Sequence, residues 1–351
     1  MRRQLRILFL AGLALSCFAQ RSAMPGQPAE APMAGPGLRS MGGNAPTLTP
    51  EQQPVSPPLI ARLSDCPLSR AQRNRITDAI ARRDYKAAET ELVSEIDRQP
   101  SSTELLNAAA GIFFVDGQFL NVAIALKKSD HIRPLSAADR LTLALAYVAL
   151  NRGEWARTEL DKLVHENPKG AIYLYWLARI DYDERRYSDA AATLKRTIAI
   201  DPEFTKAYDN LGLALEANGD SEEALNEYDT AVKLNRKLSR PSPWPPLNQG
   251  NLLSRLGRYG DAAASLKEAL RYDPNLVQAH FRLGFVYDKQ GQEGDAIAEL
   301  RKAVSLDKAY ADPLYALGRI YYRNGDKRRA EDAFQAYRKL KSDQNADRSQ
   351  P

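Results

Sequence analysis

The chain has 351 residues, 26% of them charged and 44% hydrophobic, with a formal net charge of +5. Arg2, Arg3 and Arg6 fall in a leader expected to be removed, so the remainder has no strong basic excess, which argues against nucleic acid as a partner. The histidines, His131, His165 and His280, are scattered, and Cys17 and Cys66 share no CxxC spacing, so no zinc set or other metal or cofactor site is read.

In chain order, residues 1–19 read as a secretory signal peptide: arginines, an apolar run from Ile7 to Leu15, then small residues. The run is too short for a membrane-spanning stop-transfer helix. Two processing routes fit. Cleavage after Ala19 would release an exported chain, periplasmic or secreted, whose remaining thiol is Cys66. Cleavage before Cys17, within Leu13-Ala14-Leu15-Ser16-Cys17, resembles a bacterial lipobox and would make Cys17 a lipidated membrane anchor. An organellar presequence rich in arginine is the remaining reading. Residues 20–66 are rich in proline, glycine and alanine, with few charges. Such a stretch cannot bury enough apolar surface to offset its ordering entropy, so a disordered linker is expected. Cys66 is expected as an exposed or half-buried thiol near the first repeat, with a bridge between two chains as the alternative.

From Ser69 the chain reads as helical hairpins at a period of 34 residues, beginning at Ser69, Thr103, Ala137, Ala171, Thr205, Pro243, Val277 and Ala311. Position 8 is small in most copies (Ala110, Ala144, Ala178, Gly212, Gly250, Gly284, Gly318), and so is position 20 (Ala88, Ala156, Ala190, Ala224, Ala262, Ala296, Ala330). Small residues there let the two helices approach. Gly117, Gly219, Gly257, Gly291 and Gly325 mark the turn inside five of the hairpins, and Pro100, Pro134, Pro168, Pro202 and Pro274 stop second helices. Ser69 and Ser136 are expected N-caps, the latter with Asp139 in the reciprocal place. Residues 67–238 hold five repeats and 247–342 three more. The proline-rich interruption at 239–246 is expected to delay the next helix until about Pro246 and to bend or loosen the stack, with Trp244 plugging the gap. Position 28 is apolar in most copies; Asp130 breaks the pattern, and Arg338 places the end of the array at repeat eight, before a disordered tail at 343–351. The open end, with Phe334, Tyr337 and Leu340, is also compatible with a dimer.

This register resembles the tetratricopeptide-repeat family over residues 69–342, with departures at Gln72, Arg75, Ile76, Val122, Ser129 and Asp181. The resemblance implies an all-α fold, a right-handed superhelical solenoid of about eight hairpins, which binds other proteins and has no catalytic chemistry. In the family, positions 2, 5, 6, 9, 12 and 13 of the first helices line a concave groove. Carried over, these give Tyr175, Trp176, Arg179 and Tyr182, then Lys206, Asp209 and Asn210, then Asn248, Asn251 and Arg255. Repeats seven and eight add Phe281, Arg282, Phe285 and Lys289, then Tyr315, Arg319, Tyr322 and Arg323. Rings beside arginine and asparagine suit an extended peptide, with an acidic segment or a free C-terminal carboxylate as its expected feature. The family's carboxylate clamp for chaperone tails is not matched: Asn248 and Arg282 agree, but Asp209, Leu213 and Gln278 do not.

No P-loop, GxSxG or HExxH pattern occurs, and Asp181-Tyr182-Asp183 reads as a solvated helix edge. The leading expectation is a non-catalytic exported scaffold that binds a protein segment, in envelope assembly or secretion. The alternative is an accessory subunit of glycan or polysaccharide machinery, with the groove aromatics contacting sugar.

Overall fold

A computed structural model of the chain describes residues 63–348, and of 345–348 only the helical backbone. The leader, Cys17 and most of the expected linker lie outside the described residues. The described chain is helical throughout, with sixteen helices in eight hairpins. Repeat 1 pairs α1 (Arg70–Ala81) with α2 (Tyr85–Arg98), repeat 2 α3 (Thr103–Val115) with α4 (Phe119–Ile132), and repeat 3 α5 (Ala137–Ala149) with α6 (Gly153–Glu166). Repeat 4 pairs α7 (Ala171–Asp183) with α8 (Tyr187–Ile200), and repeat 5 α9 (Thr205–Asn218) with α10 (Ser221–Asn235). Repeat 6 pairs α11 (Trp244–Arg255) with α12 (Tyr259–Tyr272), repeat 7 α13 (Val277–Lys289) with α14 (Glu293–Leu306), and repeat 8 α15 (Asp312–Arg323) with α16 (Lys327–Arg348).

Each hairpin closes because position 8 of its first helix meets position 24 of its second. A Cβ added at Gly212 would lie 2.5 Å from the Tyr228 ring, and one at Gly318 2.6 Å from the Phe334 ring. Where position 8 is alanine, position 24 is leucine: Leu126, Leu160 and Leu194 are all fully buried. A leucine so buried contributes roughly 1.5–3 kcal/mol, so each of these three hairpins is a small core awaiting its neighbours. The turn at position 15 is left-handed in every copy. Glycine supplies it in five, while Arg83 (φ 58), Asn151 (φ 55) and Arg185 (φ 62) adopt it in the others.

Each second helix packs on the following first helix, and first helices also touch one another: α3 with α5, α7 with α9, α9 with α11, α11 with α13, and α13 with α15. Second helices do not pair closely with each other. First helices therefore form the inner wall of the stack and second helices the outer.

Four local expectations change. Residues 63–66, assigned by sequence to the disordered linker, pack on repeat 1, with Leu63 and Cys66 buried; Arg73 holds them by donating to the carbonyls of Leu63 (2.9 Å), Cys66 (3.4 Å) and Leu68 (3.4 Å). The Cys66 thiol donates to the Glu104 carbonyl at 3.4 Å, and burial pushes its pKa up to about 11, so it is not the exposed or half-buried group the sequence led one to expect. At the interruption, α11 starts at Trp244, with prolines in its first turn; the N–H groups they lack would have no intrahelical acceptor there. Asn235, fully buried, accepts from the Ser242 N–H and donates to the Ser242 carbonyl, both at 2.8 Å, so the four extra residues are folded back and one buried cluster runs through the junction without a break. At the other end α16 continues to Arg348 instead of stopping at 342, and Gln344 donates to the Ala309 carbonyl at 2.8 Å.

The departures also find their partners. Gln72 completes a capping box with Ser69 and donates to Glu95 at 2.7 Å. Asp130 accepts from the Leu135 N–H at 3.1 Å and from Arg140 at 3.4 Å, which accounts for a carboxylate at an otherwise apolar position. Ser136 caps α5, but its hydroxyl, not its N–H, answers to the Asp139 carboxylate at 2.7 Å. Among the described residues no helix is long and apolar enough to cross a membrane.

Candidate binding groove

The inner wall of repeats 4 to 8 is built from positions 5, 6, 9, 12 and 13 of α7, α9, α11, α13 and α15. Helical periodicity puts these positions on one stripe. Stacking then sets the stripes side by side, and several side chains are tied across the repeat boundaries. Asn210 of α9 donates to the Tyr175 hydroxyl of α7 at 3.4 Å and to its own helix at the Lys206 carbonyl at 2.8 Å. Asn248 of α11 donates to Asp209 of α9 at 3.0 Å. Arg255 of α11 pairs with Glu216 of α9, which also accepts from the Tyr228 hydroxyl at 3.1 Å. Arg323 of α15 pairs with Asp288 of α13 at 2.6 Å and Glu293 at 3.0 Å.

The residues expected to line the groove divide into two groups. Tyr175, Trp176, Asn210, Asn251 and Phe281 are buried. The position-5 rings pack on the linker ring that ends the same repeat: Tyr175 sits 5.0 Å from Phe204 and Phe281 5.3 Å from Tyr310, centroid to centroid. Tyr315 instead packs on Phe334 (5.8 Å) and Tyr337 (5.3 Å), which turns it toward α16 and engages two of the residues considered for a dimer contact. Arg179 covers the Trp176 ring at 5.7 Å and contacts the Tyr175 hydroxyl at 3.3 Å. Tyr182 stacks edgewise on Tyr187 at 5.2 Å, and burial raises its hydroxyl pKa to about 12.

The second group is open. Asn248, Arg282 and Phe285 are half-buried, and Arg255, Lys289, Arg319, Tyr322 and Arg323 are exposed, Tyr322 at 69%. Arg282 lies over the Phe281 ring at 5.5 Å, with its pKa lowered by burial and by the charge of Arg255. Lys289 lies over Phe285 at 5.4 Å. Arg319 makes no ion pair among the described residues.

Asp209 is buried, and burial lifts its pKa to about 6 despite the Asn248 hydrogen bond and the charges of Arg179 and Lys206. Four buried polar atoms on this wall have no hydrogen-bond partner among the described residues: Trp176 Nε1, Arg179 Nε, Asn251 Oδ1 and Ser254 Oγ. Each such orphan costs about 1–3 kcal/mol while it stays unpaired.

Sequence reasoning missed Glu216 and Ser254, which occupy position 12 of repeats 5 and 6, the position at which Tyr182 and Tyr322 were found. Applying the same spacing to every copy would have included them. Asp181, read as a solvated edge, is buried and paired with Arg157 at 2.7 Å and Arg186 at 2.6 Å, which leaves it no freedom to hold a metal. No group of three His, Cys, Asp or Glu among the described residues is placed to hold a metal ion. A separate pocket, lined by Leu225, Asp229, Gln249, Arg258 and Ser265, lies between α10 and α12, away from this wall.

Models of the TPR repeat match residues 250–291 and 289–325, and tetratricopeptide-repeat models match 141–203, 205–238 and 314–340. Comparison with curated proteins gave no match. Among solved structures, a tetratricopeptide repeat protein from Parabacteroides merdae is similar at TM-score 0.56 and 15% identity, over 68% of this chain and 92% of that one. The APC/C hetero-tetramer Cut9-Hcn1 is similar at TM-score 0.54 and 14% identity, over 80% and 55%. PilW, described as a type IV pilus biogenesis factor, is similar at 0.51 and 22%, over 56% and 90%. At these identities the likeness is one of fold.

Proposed function

The chain belongs to the tetratricopeptide-repeat proteins, and from that membership we propose a non-catalytic scaffold that holds an extended protein segment along the inner wall of repeats 4 to 8. The observation that carries this reading is the row of cations and rings left open on that wall, Arg282, Phe285, Lys289, Arg319 and Tyr322. A wall with only a packing role gains nothing from cations and rings left open, whereas an extended peptide offers carboxylates to the former and apolar side chains to the latter. Arg319, Tyr322 and Arg282 supply cationic and aromatic contacts at the carboxy-terminal end, which favours a segment with acidic side chains or a free carboxylate there.

A panel of peptides differing only in a terminal carboxylate or amide tests this by fluorescence anisotropy. The carboxylate form is expected to bind at least about tenfold more tightly, roughly 1.4 kcal/mol, and Arg282→Ala with Arg319→Ala to remove the preference. Arg323→Ala, whose charge is engaged by Asp288 and Glu293, is expected to change it little. Equal affinity of both forms, or no peptide retained at all, would overturn the reading.

The charged-then-apolar leader supports placing the scaffold outside the cytoplasm, free or anchored through Cys17, with a role in envelope assembly or secretion. The intact mass of the mature chain distinguishes Cys17 from Gln20 as first residue. The sugar-binding alternative loses its repeat 4 platform, because stacking on a sugar needs an open ring face and Trp176 is buried beneath Arg179, which leaves Phe285 and Tyr322 as the open rings.

A further inference from the structure

His280 is the one buried histidine among the three, and both of its ring nitrogens are engaged. Nδ1 lies 2.6 Å from Glu299 Oε2 on α14, and Nε2 lies 3.0 Å from the Pro274 carbonyl in the linker leaving α12. A carbonyl and a carboxylate both accept, so the two contacts together require two protons. A neutral imidazole beside an ionised Glu299 has one, and the other nitrogen then turns a lone pair toward a negative charge.

Repeat 3 shows how the same slot is filled without titration. Arg140, at position 4 as His280 is, donates to Glu159 at 2.8 Å, at position 23 as Glu299 is. The place of His280 in the fold adds weight to its state. The buried apolar side chains form two clusters that meet on α13, with Ala279, Leu283 and Val286 in one and Phe281 in the other. Tyr287 of that helix packs against both clusters and joins them, and the polar ties from α13 to the flanking elements add to that junction.

We propose that His280 is a proton-dependent latch that fastens α13, and with it Phe281 and Arg282, to the repeat 6 linker on one side and to α14 on the other. The charges that act on His280 come from α14: Glu299 favours the cation and Lys302 opposes it. Repeat 6 contributes the neutral Pro274 carbonyl; on α12, Glu268 is held by Arg236 at 2.6 Å and by Arg271 at 3.7 Å, and Lys267 lies over Tyr287 at 5.4 Å. Arg255 of α11 is paired with Glu216, and Asp312 of α15 with Lys341 at 3.3 Å. Burial disfavours the imidazolium, but the Glu299 and Pro274 hydrogen bonds outweigh it and raise the pKa above 6.5. A raised histidine pKa means that the contribution is fully present below the unfolded value and is lost as pH rises through the folded one.

The consequence for ligand capture rests on the groove reading, whereas the latch is testable without a ligand. Amide hydrogen exchange of the full chain, corrected for the intrinsic pH dependence, reads local opening. Between pH 6 and 9, opening of residues 277–289 is expected to rise about tenfold for each unit by which the pKa is raised, while α5, held by Arg140, stays level. His280→Arg should flatten the response, and His280→Gln should flatten it at a uniformly faster level. A pH response of α13 that persists in both variants, or one shared equally by α5, overturns the latch. His131 and His165 are exposed and serve as internal controls.

Discussion

Position 8 shows how little tolerance a shared seam leaves to a single side chain. At Gly212 an added methyl meets the rigid ring of Tyr228, whereas at Gly250 it meets the more pliable Leu266 at 2.8 Å. Gly212→Ala is therefore expected to destabilise by about 1–3 kcal/mol, and more than Gly250→Ala, as measured by urea denaturation. Asp209 gives a residue-scale prediction of opposite sign. Its carboxyl pKa is lifted by burial from 3.8 to about 6, so folding takes up a proton and stability gains as pH falls from about 6 toward 4. That is the reverse of an ion-paired carboxylate. Asp209→Asn keeps an acceptor for Asn248 and removes the buried charge, so it should stabilise by about 1–3 kcal/mol at pH 7 and show a smaller gain at pH 5 in the same measurement.

Between the two helices of a hairpin the turn imposes one left-handed residue, whatever the sequence offers. Arg83 and Arg185 carry a Cβ penalty of about 1–2 kcal/mol there, partly offset because glycine makes the unfolded chain freer. Arg83→Gly is expected to stabilise by about 0.5–1 kcal/mol and Asn151→Gly by less, since asparagine tolerates this conformation; differential scanning calorimetry would rank them. Arg185→Gly should behave as Arg83→Gly does. The interruption before α11 shows the same rule from the other side: a helix start accepts prolines that its interior would reject, and one asparagine amide folds the surplus residues away.

Because each hairpin touches only its neighbours, stability is a sum of local terms joined by interfaces, and the array need not unfold all at once. The two buried clusters meet on α13, so the carboxy-terminal hairpins are expected to part from the rest near that helix. The tryptophans Trp155, Trp176 and Trp244 all lie in repeats 3 to 6. On adding urea, helical circular dichroism is expected to begin its decline before tryptophan fluorescence moves. Coincident transitions would show a single cooperative unit instead.

The repeat register, the helix boundaries at Thr103, Ala137, Ala171 and Thr205, the turns and the close seam were all legible in the sequence, because a period of 34 residues fixes which side chains must be small wherever the copies fall. The stripe of wall positions came from the resemblance to the tetratricopeptide-repeat family. Which of those positions stay open was not legible. Tyr175 and Phe281 sit where an anchor would, yet Phe204 and Tyr310 from the ends of their repeats cover them, and no local pattern announces that meeting. The carboxylates of Asp130 and Asp181 likewise read as irregularities until cations from other helices were brought to them. Periodicity is a property of one helix at a time, whereas burial and charge pairing belong to contacts between helices, and those exist only once the hairpins have stacked.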